Sequence, residues 1–241
     1  MTSLCILPGL DGTTRMLQRF IATMLPSFES VAAIAYPTDV VLGYRELEAI
    51  ARDALPQRSP FVLLGESFSG PIAIAIAADP PPNLIGLVLS TTFARAPVPL
   101  LAPFAGLTRF APVRMVPTTV LSAMLLGRWS TPELRHELGS ALSEVAPDVL
   151  RARAAAAMRI DVSDRLARIT VPTLSLMAKH DRLLRAGAGR QLIDSIAGIR
   201  PVALDGPHLL LQTRTGRCAA GIARFAAELV HRPLPHGARL G

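Results

Sequence analysis

The chain reads as an α/β protein: a mostly parallel sheet of about six strands flanked by helices, with a helical insertion after the fourth strand. Three observations predict this. Short apolar runs alternate with segments of helical period over residues 3–90 and again over 171–230, the pattern of strand, helix and strand units joined by right-handed crossovers. Between Ala94 and about Arg168 the alternation stops and no run has strand character. Several strands also end in turns rich in Gly, Ser, Asp and His, beyond the carboxyl strand ends where open α/β sheets bind ligands.

Taken in order, Ser3 to Leu7 is a buried strand ending in LPGLDGTT, and Met16 to Leu25 carries apolar residues at helical spacing. Val31 to Tyr36 is the second strand. Gly43 to Leu55 is a helix with Leu47, Ile50, Ala51 and Ala54 on one face. Phe61 to Gly65 is the third strand, followed at once by an Ala- and Ile-rich helix and by a strand at Ile85 to Ser90. Helices are expected near Val120 to Leu126, Pro132 to Val145 and Asp148 to Ile160, with Pro132 and Asp148 placed where helices start. The alternation returns with a strand at Val171 to Met177, a helix from about Ala186 to Ile196, a strand at Arg200 to Leu204, and a closing helix from about Thr213 to Val230. The expected division is a core of residues 1–93 and 169–231, an inserted unit of 94–168, and a loose tail of 232–241.

At 241 residues, half of them hydrophobic, the chain can bury a sizeable core and is not disordered. Its net charge of +7 is carried almost wholly by arginine, since Lys179 is the single lysine. The charge is uneven: residues 1–93 hold five basic and eight acidic side chains, residues 94–241 twenty and ten. A basic second half could attract an acidic partner such as an acyl-carrier protein, or an anionic lipid surface. No nucleic-acid partner is expected, because basic residues are not interleaved with stacking aromatics. Cys5 and Cys218 lie far apart on a strand and a helix, which implies neither a disulfide framework nor a metal cluster. No basic region precedes an apolar stretch at the N-terminus, and no apolar run reaches the roughly 18 residues of a membrane span. A soluble, cytoplasmic protein is the expectation, and the apolar fraction leaves a homodimer open.

The chemistry centres on FVLLGESFSGPIAIAIAAD, Phe61 to Asp79. A strand ends, Ser67 follows, and a helix begins. A nucleophilic serine needs this placement, with its hydroxyl clear of the backbone and beside unpaired helix-terminal amides that favour negative charge. Gly65 and Gly70 give room for a tight turn. The elbow template G-x-S-x-G is met at four of five positions, Ser69 standing for the last glycine. Serine and glycine also populate ordinary surface turns, so the rest of the chain must decide.

A serine needs a base, usually a histidine oriented by a carboxylate. Of five histidines, His231 and His236 fall at the end of the last helix and in the tail, and His136 lies in an insertion helix. His208 sits in a loop just beyond a core strand, where it could reach Ser67. Asp181 occupies the same topological place after the preceding strand, although it could equally cap a helix. Asp205 is a rival acid, yet it lies three residues from His208 in one turn, too close to leave the imidazole facing a distant serine. Asp161 and Asp164 are weaker rivals. Backbone amides for a tetrahedral oxyanion should come from Phe68, after the nucleophile, and from Leu10, in the loop after the first strand.

With LPGLDG, GESFSG, VPTLSLMAKHD and GPH in this order, the sequence resembles the α/β-hydrolase superfamily over nearly its whole length. The resemblance implies Ser67 as nucleophile, His208 as general base and acid, Asp181 as the carboxylate, and residues 94–168 as a helical cap. Against the family pattern the chain starts at what would be the third strand, with two N-terminal strands missing. Pro8 stands where many members have histidine. Glu66 is expected to be a buried hydrogen-bonding residue rather than a catalytic one. Neither a cofactor nor a metal is implied.

The cap sequence from Pro97 to Gly127 is apolar, punctuated by Arg109 and Arg114, with Arg95 and Arg128 at either side. It suits an ester with an apolar acyl or alcohol group, or it simply packs the cap onto the core. The expected function is a serine esterase acting through an acyl-Ser67 intermediate on a small-molecule ester. The alternatives are a thioesterase or acyltransferase acting on carrier-linked acyl groups, and a catalytically silent hydrolase scaffold that binds a small apolar ligand.

Overall fold

The computed structural model describes residues 2–96, 117–184 and 186–230. Most of the apolar cap segment, with Arg109 and Arg114, and the tail with His231 and His236 lie outside the described residues.

Six strands, β1 (Ser3–Leu7), β2 (Ser30–Ala33), β3 (Phe61–Glu66), β4 (Leu84–Ser90), β5 (Thr173–Ala178) and β6 (Arg200–Leu204), form one sheet in the order β2-β1-β3-β4-β5-β6. Every pairing is parallel. The central strands are apolar throughout because both faces are covered. Alternate residues feed opposite layers: Leu7, Phe61, Leu63, Leu87 and Leu89 enter one core, Leu4, Ile6, Val62, Leu64 and Val88 the other. Helices α2 (Tyr44–Ala54) and α3 (Gly70–Ala78) pack in the first layer with Leu192 of α7 (Ala186–Ser195). Helix α3 is buried at every position, so its sequence is apolar on all sides rather than amphipathic. Helices α1 (Gln18–Met24) and α9 (Thr215–Val230) cover the second layer.

The strand order matters for function. The chain steps from β1 outward to β2, then returns across β1 to β3 and continues the other way. That reversal between β1 and β3 is a topological switch point, where the crevice beyond the strand ends is open to a ligand.

Between β4 and β5 the described residues form α4 (Thr118–Leu125), α5 (Pro132–Ser143) and α6 (Pro147–Ala157), with no strand among them. The two ends of the insertion are stitched together. Ala96 N–H donates to Ile160 O (2.8 Å), Val162 N–H donates to Ala94 O (2.9 Å), and Arg95 pairs with Asp161 at 3.2 Å.

Several boundaries shift from expectation. The edge strand β2 stops at Ala33, and Tyr36, expected in it, instead donates its N–H to Gly12 O (2.8 Å) beside the loop after β1. The closing helix α9 keeps its expected span to within two residues, and an unexpected short helix, α8 (Leu210–Thr213), precedes it, separated at Arg214, whose Nε donates to Asp205 O. Both cysteines are buried and free, and burial pushes their thiols up to about 11 for Cys5 and about 12 for Cys218. Among the described residues no helix is long and apolar enough to cross a membrane.

Candidate active site

Ser67 opens a short 3-10 turn, Ser67–Ser69, between β3 and α3. Its φ of 47° is left-handed, a conformation that costs a non-glycine residue about 1–2 kcal/mol and persists only where the surroundings enforce it. They do so here. A Cβ on Gly65 would lie 2.6 Å from the Ala73 Cβ, and one on Gly70 would lie 1.7 Å from Thr92 Oγ1. The same Thr92 hydroxyl donates to the Ser67 carbonyl. At Gly65 the strand meets α3, and at Gly70 the helix meets the loop after β4, too closely for a side chain at either glycine.

Ser67 Oγ lies 2.8 Å from His208 Nε2, and His208 Nδ1 lies 2.8 Å from Asp181 Oδ2. A carboxylate only accepts, so Nδ1 carries the proton and Nε2 is left to accept from the serine hydroxyl. His208, in the loop between β6 and α8, is 2 % exposed. The other Asp181 oxygen, Oδ1, accepts the N–H groups of Leu183 and Leu184, each at 2.8 Å. The acid is thus oriented by its own loop. The structure brings Ser67, His208 and Asp181 into one hydrogen-bonded chain.

The remaining candidates separate cleanly. Asp205 faces outward, where it accepts from His180, Arg128 and Arg214. Asp161 belongs to the insertion neck, Asp164 is exposed in a 3-10 turn, and His136 is exposed on α5. Leu10 and Phe68 line the same cavity as Ser67 and His208. Gly12 N–H donates to Gly9 O (3.0 Å) in a tight turn. In a planar trans peptide this leaves the Leu10 N–H pointing opposite to the Gly9 carbonyl.

Ser69 points inward. Its hydroxyl donates to Pro8 O, and the buried Tyr36 hydroxyl lies 2.9 Å from it, tying the elbow to the loop after β1. Tyr44 donates to Phe68 O (3.1 Å) and stacks on the Phe68 ring. Glu66 is 3 % exposed and accepts from Gln212 Nε2 at 2.9 Å. Burial pushes its carboxyl up to about 7, with Asp11 adding to the rise while the Gln212 hydrogen bond and His208 oppose it. Burial likewise raises the Asp11 carboxyl, against the pull of two Thr13 hydrogen bonds and of Arg153.

The cavity over Ser67 measures about 360 Å³. Its walls are largely apolar, with Leu121, Met124 and Leu125 from α4 and Leu138 and Leu142 from α5 facing Met16 and Leu17 of the core. Its polar groups gather at the floor around Ser67, Glu66, Asp11 and His208.

A parallel sheet switching direction beside a serine on a strained strand-to-helix turn defines a protein of the α/β-hydrolase superfamily. More narrowly, the chain belongs to the family described as serine aminopeptidase S33, whose model matches residues 33–200. That match includes Ser67 and Asp181 and ends before His208. No curated protein matches the chain. Among solved structures, the enol-lactonase from Burkholderia xenovorans LB400 superposes with a TM-score of 0.79 at 18 % identity, covering 96 % of this chain and 92 % of its own. A thermophilic esterase from Thermogutta terrifontis gives 0.79 at 19 % identity, covering 95 % and 90 %. MenH from S. aureus gives 0.77 at 15 % identity, covering 95 % of each chain. At such identities these neighbours share the fold.

Proposed function

We propose that this protein is a cofactor-independent serine hydrolase that cleaves carboxylic esters of modest size through an acyl-Ser67 intermediate. The observation that carries the reading is the hydrogen-bonded chain from Ser67 Oγ through His208 to Asp181, opening into an apolar cavity.

In the first half-reaction Ser67 Oγ attacks the ester carbonyl while its proton passes to His208 Nε2. Charge develops on the former carbonyl oxygen, where the amides of Phe68 and Leu10 would donate. The imidazolium is stabilised by Asp181 and gives its proton to the departing alkoxide, so an alcohol leaves and an acyl-serine remains. Water then enters, loses a proton to His208 and attacks the acyl carbon. Collapse returns the proton to Ser67 and releases the carboxylic acid. A lactone would follow the same steps with the alcohol retained on the acyl chain.

A cavity of about 360 Å³ lies near the small end of ligand sites. Turnover of p-nitrophenyl esters should therefore peak between butyrate and octanoate and fall at palmitate. A flat profile, or retained turnover in S67A, would overturn the reading. Thioester cleavage uses the same groups and is separated by assaying an acyl-thioester in parallel. A silent scaffold is separated by a fluorophosphonate probe, which labels Ser67 only if its hydroxyl is activated.

A further inference from the structure

The insertion supplies more than an apolar wall. Arg153, on α6, is 1 % exposed and is among the largest fully buried side chains. Burying a guanidinium is costly unless its donors are satisfied. Here they are taken up by backbone: Nη1 donates to Leu10 O (3.1 Å) and Asp11 O (2.6 Å), and Nη2 donates to Pro37 O (2.8 Å). The group also lies 5.7 Å from the Tyr36 ring. Among the described residues no carboxylate forms a direct ion pair with it.

What Arg153 grips is the turn Gly9 to Gly12. The Gly12 N–H to Gly9 O bond fixes the first peptide plane, the one that carries the Leu10 N–H. Arg153 fixes the next two through their carbonyls. Gly12 has φ +69°, and a Cβ there would lie 2.4 Å from Arg153 Nη1. Loop and arginine are fitted to one another, the guanidinium filling the space a side chain at Gly12 would need.

We propose that Arg153 is a positioning residue for hydrolysis, coupling the insertion to the loop after β1 and holding the Leu10 amide in its donor orientation toward the oxyanion. The inference rests on the reading of Ser67 as nucleophile and of Leu10 and Phe68 as amide donors. It makes the insertion part of the catalytic apparatus as well as a wall of the cavity.

The test uses R153K, R153M, G12A and S67A. Each is measured for kcat and KM on p-nitrophenyl butyrate, for melting temperature, and for inhibition by an alkyl boronic acid, which adds to serine as a tetrahedral species. Lysine keeps the charge but loses the forked geometry, so R153K carries the test if R153M does not fold. Loss of an oxyanion donor outright lowers kcat by about 10²–10³-fold. Misorientation should lower kcat in R153K by about tenfold to a hundredfold, with KM within about twofold and boronate affinity weakened in parallel with kcat. G12A should show the same split. A folded R153K with wild-type kcat and boronate affinity overturns the inference, as does a loss of kcat that disappears on correcting for the folded fraction. Retained turnover in S67A would instead overturn the reading beneath it.

Discussion

Two aspartate–histidine pairs stand side by side beyond the ends of β5 and β6, and they are cross-connected in sequence. His180 precedes Asp181, and Asp205 lies three residues before His208, yet His180 pairs with Asp205 and His208 with Asp181. The contact distances are nearly equal, 2.9 and 2.8 Å. Their surroundings are opposite. The side chains of the outer pair are 48 % and 52 % exposed, those of the inner pair 2 % and 11 %. Asp205 is shared among His180, Arg128 and Arg214, with the Trp129 ring under both guanidinium groups. It latches the insertion to the core. Asp181 holds one imidazole nitrogen, and the other nitrogen faces Ser67. Residue type and distance do not separate the two pairs; dryness and the identity of the third partner do.

That contrast can be broken most severely at the third partner. S67A should lower kcat on p-nitrophenyl butyrate by about 10⁴-fold or more while the fold is retained. The paired histidine variants come next. H208Q should lose about 10³–10⁴-fold in kcat, whereas H180Q should stay within about twofold of wild type because its surroundings are wet and screened. D205N should cost a small amount of thermal stability that vanishes at high salt, with kcat unchanged. Melting curves at low and at high ionic strength check this.

The polar floor sharpens the same point about dryness. Burial raises the Glu66 carboxyl from 4.5 to about 7. The native state therefore holds this proton more tightly than the unfolded chain does. The stabilising contribution is complete below pH about 4.5 and is lost as the pH rises through about 7. In E66Q the loss of stability between pH 5.5 and 8.5, followed by melting temperature, should be smaller than in wild type. A modest effect is expected at Ser69. Removing its hydroxyl leaves the Pro8 carbonyl without that donor, and S69A should lower kcat by about twofold to tenfold, as a slight loosening of the loop after β1.

Much of this arrangement was legible in the sequence for physical reasons. Strands buried on both faces must be continuous apolar runs, so β1, β3 and β4 stood out with near-correct limits. The edge strand β2, exposed at alternate positions, carried a weaker pattern and was read too long. Asp181 could be preferred over Asp205 because a carboxylate in the same turn as His208 cannot easily orient it toward a distant serine. Other features depend on contacts that sequence spacing does not encode. The inward turn of Ser69 is set by Pro8 and Tyr36, which lie 61 and 33 residues away. Gln212, the partner of Glu66, lies just ahead of the expected closing helix, and nothing in its spacing points to Glu66, 146 residues away. Arg153 sits in RARAAAAMR, where a charged residue on an alanine-rich helix signals a solvent face. Only the tertiary fold reveals three carbonyls awaiting it.

The most direct test of the contrast is the rate at which a fluorophosphonate labels Ser67 in D181N and D205N, measured side by side with wild type. If the dry pair alone activates the serine, D181N should be labelled at least about a hundredfold more slowly and D205N at the wild-type rate. Equal rates in the two variants, or slower labelling in D205N, would contradict the account.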